Sequence, residues 1–194
     1  MDTTLAAHMV QHVALTMVAA PLAAAGLRRA SPARAARHAG ARTAPIVAWL
    51  LFAATGWAIH FSPFFEAAAE NVPVHVAEHV LLSGTALLFW AQVVGQRALM
   101  SHPLRLLYLV VAMPQNTFLA LAIFSAGHVL YPHYGGGSDP MGDQRLAGGI
   151  MWVAGDVVLL MAVLMVAAAW ARHEERENAL IEAADRPPSP RKAG

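Results

Sequence analysis

Hydrophobic residues occur along this chain in five long runs, separated by short segments that hold most of the charged residues, glycines and prolines. An apolar run of about 20 residues is long enough to cross the hydrocarbon core of a bilayer as a helix. The runs predict spans at residues 5–27, 46–61, 73–94, 104–130 and 144–170. The expected fold is therefore all-α, a multi-span membrane bundle of about five transmembrane helices.

Local signals place the ends of these helices. Thr4 offers an N-cap before the first span, Pro63 stops the second, and Pro73 suits the first position of the third. Residues 1–171 are predicted to form the transmembrane domain. Residues 172–194, charged and then proline-rich, are predicted to form a cytoplasmic tail that is helical for a few turns and disordered at its end.

Composition and charge agree with a membrane protein and give it an orientation. Apolar residues make up 57% of the chain and charged residues only 13%, and there is no cysteine. Any metal must therefore be held by histidine, methionine or carboxylate. Twelve of the 13 basic residues fall in the loops after spans one and three, at the start of span four or in the tail. The positive-inside rule then predicts the N-terminus outside and the C-terminus inside.

This orientation sorts the histidines by side of the membrane. Seven of the ten lie at predicted outer ends of spans: His8, His12, His60, His75, His79, His128 and His133. Glu78, Asp139 and Asp143 add carboxylates on the same side, and Met9 and Met141 are the methionines best placed to act as soft ligands there.

Two histidine pairs carry the main chemical signal. His8 and His12 in HMVQH, and His75 and His79 in HVAEH, are each four residues apart at the head of an apolar run. Residues with this spacing share one face of a helix, so two imidazoles can converge on one ion. Both pairs lie within the first two turns of their helices, and we expect them to meet and to hold a metal ion or a haem iron.

Two other interpretations compete for these polar residues. HVAEH fits the H-x-x-E-H pattern of inverted zinc peptidases, but it opens a membrane helix in a chain too short for those folds. Asp156 lies near mid-membrane at the depth of Gln115 and Asn116. A hydrogen-bonded packing contact is favoured there over a proton or ion relay in a transporter.

Three blocks of the chain resemble a known family. HMVQH, IHFSPFFEAAAENVPVHVAEH and LYPHYGGGSDPMGDQRLAGGIMWVAGD are similar to segments of the CtaG-type cytochrome c oxidase assembly factors, multi-span membrane proteins linked to copper delivery. The resemblance runs from His8 to about Trp170. Members of that family usually carry further spans before the HMxQH block, whereas this chain begins almost at that block.

The resemblance implies a function in copper delivery. Outer-facing histidines would hold copper for transfer, by ligand exchange and without catalysis, to an apo-cytochrome c oxidase subunit, with a copper donor protein as another possible partner. The implied ligands are His8, His12, His75 and His79, with His60 as a further candidate. The implied location is the bacterial inner membrane, where the chain is embedded as a multi-pass protein in the lipid bilayer, and no nucleic-acid partner is expected.

The alternative from another class is a haem-binding membrane electron-transfer protein. Haem needs one histidine from each of two facing helices, whereas the i,i+4 pairs place two histidines on the same face. The spacing therefore favours a compact metal ion.

Overall fold

The computed structural model describes residues 4–30, 43–94 and 100–185. These ranges consist of helices joined by short connections, and they contain no strand. Helix α1 continues through a π-helical segment into α2, and α3 to α7 follow in chain order. The bounds are α1 Leu5–Val13, the π segment Ala14–Ala19, α2 Ala20–Ala30, α3 Ala44–His60, α4 Pro63–Glu70, α5 Val72–Val93, α6 His102–Phe124, a 3₁₀ turn Pro132–Gly136 and α7 Pro140–Asp185.

Several helices have the length and apolar composition of membrane spans, which confirms the predicted all-α membrane bundle. Four helical stretches qualify on their own: Leu5–Leu27, Val72–Val93, His102–Phe124 and Pro140–Asp185. A fifth span results if α3 and α4, which meet at an angle of 69°, count as one. Pro63 begins α4 after this bend, and the Ser62 hydroxyl caps it by accepting a hydrogen bond from the Phe64 amide at 3.3 Å. The orientation across the membrane stays a prediction.

The fourth predicted span is longer than the helix that forms. Helix α6 ends at Phe124, six residues before residue 130. The buried side chain of Gln144 holds the connection that follows, because its carbonyl accepts from the Leu130 amide at 2.7 Å and its NH₂ group donates to the carbonyls of Ile123 and His128. These bonds satisfy backbone groups that a continued helix would have paired internally.

The last helix passes both ends of the fifth predicted span. It begins at Pro140 and runs without interruption through residues 170 and 171 to Asp185. Good helix formers and i,i+4 contacts explain the extension: Trp170 donates to Glu174 at 2.8 Å, and His173 lies 3.3 Å from Glu177. The predicted disordered end at 186–194 lies outside the described residues, as do the arginines of residues 31–42 and Arg97.

Small residues bring α6 and α7 together. A Cβ at Gly148 would lie 2.8 Å from the Phe124 amide nitrogen, and one at Gly155 would lie 2.6 Å from the Asn116 side chain. Within this contact Asn116 donates to Asp156 at 3.0 Å, and the Thr117 hydroxyl lies 2.6 Å from the other carboxylate oxygen. Asp156 thus makes the interhelical packing contact favoured from the sequence.

Side chains of α1 and α5 meet near one end of the bundle, where rings of the two helices lie 5.2–5.7 Å apart. Helices α3 and α4 lie beside α5, and α7 lies beside α1. The N-termini of α1 and α5 and the C-terminus of α3 lie at this end, which we call the histidine end. Toward the other end, Trp90 donates its indole N–H to the Thr16 carbonyl at 2.8 Å. Because Thr16 lies in the π segment that follows His12, this bond fixes the first membrane helix against α5 immediately below the histidines.

Candidate metal centre

The first histidine pair lies on a helix whose N-terminus is held from two sides. The Thr4 hydroxyl accepts a hydrogen bond from the Ala7 amide at 3.2 Å. Asp143, from the first turn of α7, accepts from the amides of Leu5 and Ala6 at 2.7 and 3.2 Å. A carboxylate at a helix N-terminus satisfies free N–H groups and opposes the positive end of the helix dipole. Asp143 therefore has a structural role in positioning α1.

The second pair lies on a helix that begins with an equally defined cap. The Asn71 side chain accepts from the Val74 amide at 3.3 Å, and Pro73 lies in the first turn, where its missing N–H costs nothing. These caps place His75 and His79 in the first two turns of α5, facing the first two turns of α1. The expected meeting of the two pairs is observed.

Four side chains form a compact group that could hold a metal ion. His8, His12, Glu78 and His79 each offer one ligand atom, and these atoms all lie within 4.8 Å of one another. Three of the side chains are buried, with exposures of 3% for His8, 4% for His12 and 0% for Glu78. Two helices thus supply three imidazoles and one carboxylate at the histidine end.

Glu78 is the centre of this group. One carboxylate oxygen lies 3.5 Å from His8 Nε2, and the other lies 3.7 Å from His12 Nε2. Neither oxygen has a hydrogen-bond partner among the described residues. Two ligand atoms at about 2.0–2.1 Å from a tetrahedral ion lie roughly 3.3 Å apart, so these separations suit ligands of one ion better than hydrogen bonds.

His75 lies at the rim of the group. Its ring is in contact with His79, with centroids 4.3 Å apart, and its Nδ1 lies 3.8 Å from Glu78. A third of its side chain is exposed, in contrast to the buried members of the group. His75 therefore connects the buried group to the surface.

His60 lies next to the group but outside it. Its ring centroid is 5.7 Å from that of His12, and its Nδ1 lies 2.7 Å from the Gly56 carbonyl oxygen of its own helix. The Tyr131 hydroxyl donates to the His60 carbonyl at 3.0 Å and so fixes the end of α3. Of the five predicted ligands, three belong to the compact group, and His75 and His60 border it on different sides.

Aromatic rings close the site. Phe65, 1% exposed, makes edge or tilted contacts with His8, His12 and His60 at centroid distances of 5.3–6.0 Å. Tyr134 covers His8 at 5.7 Å. Burial, with the carboxylates of Glu78 and Glu66 nearby, raises the pKa of Tyr134 to about 12. This residue is therefore a neutral phenol at physiological pH.

Other polar residues near the histidine end do not join the group. The Asp139 carboxylate accepts from the Gly142 amide at 2.8 Å, and the amide of His133 donates to Glu66 at 3.1 Å. The His133 ring lies 3.7 Å from Glu70. These contacts shape the loop before α7 and account for the polar groups that accompany the histidines.

Two residues of the site were not expected as such. The sequence indicates Glu78 as a carboxylate on the outer side and as the glutamate of the H-x-x-E-H pattern, but not as a metal ligand, although HVAEH places it between two predicted ligands on α5. The sequence does not indicate that Phe65 belongs to the site, because an aromatic residue shortly after a helix-ending proline is compatible with many roles.

Fold and site together define a class: a multi-span helical membrane protein with a buried histidine–carboxylate group near one end of the bundle. The chain belongs to the cytochrome c oxidase caa3 assembly factors (Caa3_CtaG), whose family model matches residues 1–173. The resemblance read from the sequence is thereby confirmed.

Two curated relatives share much of the chain. The uncharacterized proteins Mb0105 of Mycobacterium bovis and MT0111 of Mycobacterium tuberculosis are each 28% identical over 143 residues, which cover 68% of this chain and 21% of theirs. The chain thus spans about a fifth of the length of the curated relatives it matches. No solved structure matches it.

Proposed function

We propose that this oxidase assembly factor binds copper as cargo in the four-residue group and delivers it to an apo-cytochrome c oxidase subunit at the outer face of the membrane. The observation that carries the proposal is the buried carboxylate of Glu78, which has no hydrogen-bond partner among the described residues and lies 3.5–3.7 Å from two imidazole nitrogens. A buried carboxylate without a hydrogen-bond donor is costly, and a bound cation would supply the missing interaction.

The donor types support copper among the first-row metals. Imidazole suits copper, and copper stands at the top of the affinity order for a given nitrogen and oxygen site. The partly exposed His75 gives the ion a first ligand at the surface, from which it can pass to the buried residues by exchange of one ligand at a time. Delivery would use the same steps in reverse.

A haem is disfavoured by the arrangement of the rings. The macrocycle must lie between the two imidazoles that ligate its iron and extend beyond them on all sides, whereas Phe65 and Tyr134 pack directly against the His8 ring at 5.3 and 5.7 Å. The cavity that His12 and His60 line is about 50 Å³, far below the roughly 300–1,000 Å³ of typical cofactor pockets.

The first test is the metal content and optical spectrum of the detergent-purified protein. We expect stoichiometric copper and no Soret band in the native chain, and loss of copper in His79→Ala. The control is His133→Ala, which removes a histidine near the same end of the bundle but outside the group and should keep its copper. Equal copper in both variants would refute the proposed site, and a Soret band lost with His79 would favour haem.

The second test concerns delivery. Cells that lack the protein would be complemented with the native chain, His79→Ala or His133→Ala, and the copper content of their purified caa3 oxidase compared. We expect copper-deficient oxidase only with His79→Ala. Fully metallated oxidase with that variant would refute a role of this site in delivery.

A further inference from the structure

A small cavity adjoins the four-residue group and extends from it toward the middle of the bundle. Its volume is about 50 Å³, and His12, His60, Met9, Met17 and Met151 are among the residues that line it. All five are at least 94% buried. They come from α1, the π segment, α3 and α7, so this position exists only in the folded bundle.

His60, which lines this cavity, has a ring nitrogen with a free lone pair. A carbonyl oxygen can only accept, so the 2.7 Å contact with the Gly56 carbonyl requires the proton of the neutral ring on Nδ1. Nε2 is therefore the unprotonated nitrogen, and it is buried without a hydrogen-bond partner among the described residues. Metal-binding histidines characteristically donate their other ring N–H to a carbonyl or carboxylate in this way.

The three methionines make the donor set soft. Thioether sulphur favours Cu(I), and because the chain has no cysteine, methionine is its only source of sulphur ligands. Among the residues that the structure describes, no carboxylate lines this cavity, in contrast to the group that contains Glu78. The remaining polar lining, from Thr16, Gln115 and Asn116, is uncharged, and an uncharged, buried surrounding penalises a divalent ion more than a monovalent one.

We propose that this cavity is a second, inner site for Cu(I), ligated by Nε2 of His60 and by methionine sulphur, and that His12 links it to the four-residue group. The inference rests on the proposed binding of copper in that group. His12 lines the cavity and also belongs to the group, so an ion can move between the two positions without leaving the bundle. The cavity could otherwise hold a few water molecules, each of which needs roughly 10–15 Å³.

The test is anaerobic Cu(I) titration of the full chain combined with X-ray absorption at the copper edge. We expect two equivalents of Cu(I) and a sulphur shell, which in this chain can come only from thioethers. In protein labelled with selenomethionine the sulphur shell should be replaced by selenium, with no change of sequence. One equivalent with nitrogen and oxygen neighbours only would overturn the inner site and leave the proposed function intact, whereas no bound copper would refute both.

Variants locate the sulphur ligands. Leucine is similar in volume to methionine, so Met9→Leu/Met17→Leu/Met151→Leu should keep the packing. We expect it to lose one Cu(I) equivalent and the sulphur shell, and to keep the other Cu(I) equivalent at the four-residue group with an affinity within twofold, which also reports correct folding. The control is Met161→Leu, an exposed position on α7, which should keep both equivalents. A sulphur shell that survives in the triple variant would overturn the assignment.

Discussion

Replacing Glu78 by glutamine distinguishes a metal site from a structural ion pair, because the two roles predict stability changes of opposite sign. Glutamine keeps the shape of the side chain and removes its charge. If the carboxylate is a metal ligand, the metal-free protein holds an uncompensated buried charge, and Glu78→Gln should make the metal-free protein more stable. If Glu78 instead pairs with a protonated histidine, the same change breaks a buried ion pair and should destabilise the protein by about 3–5 kcal/mol.

The effect on binding can be estimated from the geometry. A unit cation about 3 Å from the carboxylate charge gains about 5 kcal/mol at an effective dielectric constant near 20. The carboxylate is already buried in the metal-free protein, so copper binding pays no further desolvation cost for it. We therefore expect Glu78→Gln to lose up to about 5 kcal/mol of copper binding, a Kd weaker by roughly three to four orders of magnitude.

The assay pairs two measurements on the same samples: Tm of the metal-free protein, and Kd for copper by competition with a chromogenic chelator. Glu70→Gln is the matched control, because Glu70 is exposed near the same end of the bundle and lies outside the group. It should change neither quantity appreciably. A lower Tm for metal-free Glu78→Gln, or an unchanged Kd, would refute the metal-site reasoning.

Three further predictions concern packing, protonation and orientation. Gly148→Ala should lower the free energy of unfolding by about 1–3 kcal/mol, and Tm with it, because its Cβ would lie 2.8 Å from the α6 backbone. Gly149→Ala is the control and should be tolerated, because the nearest atoms to its Cβ are 4.0 Å away. Equal changes in Tm for the two variants would contradict the close approach of α6 and α7 at Gly148. Tyr134 should ionise near pH 12 in the folded protein, instead of near pH 10 as in an unfolded chain. Because its folded-state pKa is the higher one, the neutral phenol contributes to the free energy of unfolding below pH 10, and this contribution is lost as the pH rises from 10 to 12. The absorbance difference between the native chain and Tyr134→Phe measures this, and ionisation near pH 10 would contradict it. Because the chain lacks cysteine, Asp139→Cys should react with an impermeant maleimide from outside in intact cells and Glu177→Cys only after permeabilisation; the reverse pattern would invert the predicted orientation.

The histidine pairs could be predicted because the sequence signal that reveals them lies within a few neighbouring residues. Spacing of four residues fixes a shared helix face, and the apolar runs that follow fix the depth at which His8 and His12 can meet His75 and His79. Glu78 could not be assigned in the same way. It lies about 60° around the helix from His75 and about 100° from His79, and only the position of α1 decides that this side is turned inward.

The end of α6 shows a different limit. Residues 125–130 remain partly apolar, so hydropathy extends the span to residue 130. The helix stops at Phe124 because Gln144, 14 residues after Leu130, supplies hydrogen bonds to the connection. Such tertiary partners have no signature in a local window, and the same holds for Asp143 at the N-terminus of α1.

The net charge of the four-residue group constrains the oxidation state of the bound copper more than the types of its ligand atoms do. Three neutral imidazoles and one carboxylate carry a net charge of −1, so Cu(I) gives a neutral complex and a divalent ion leaves a charge of +1. Inside a bundle surrounded by apolar helices, the neutral complex avoids most of the cost of a buried ion. A divalent ion would need an added anion or access to water, and the partly exposed His75 offers such access only at the rim. The charge balance therefore favours Cu(I) in the four-residue group and restricts Cu(II) to the surface.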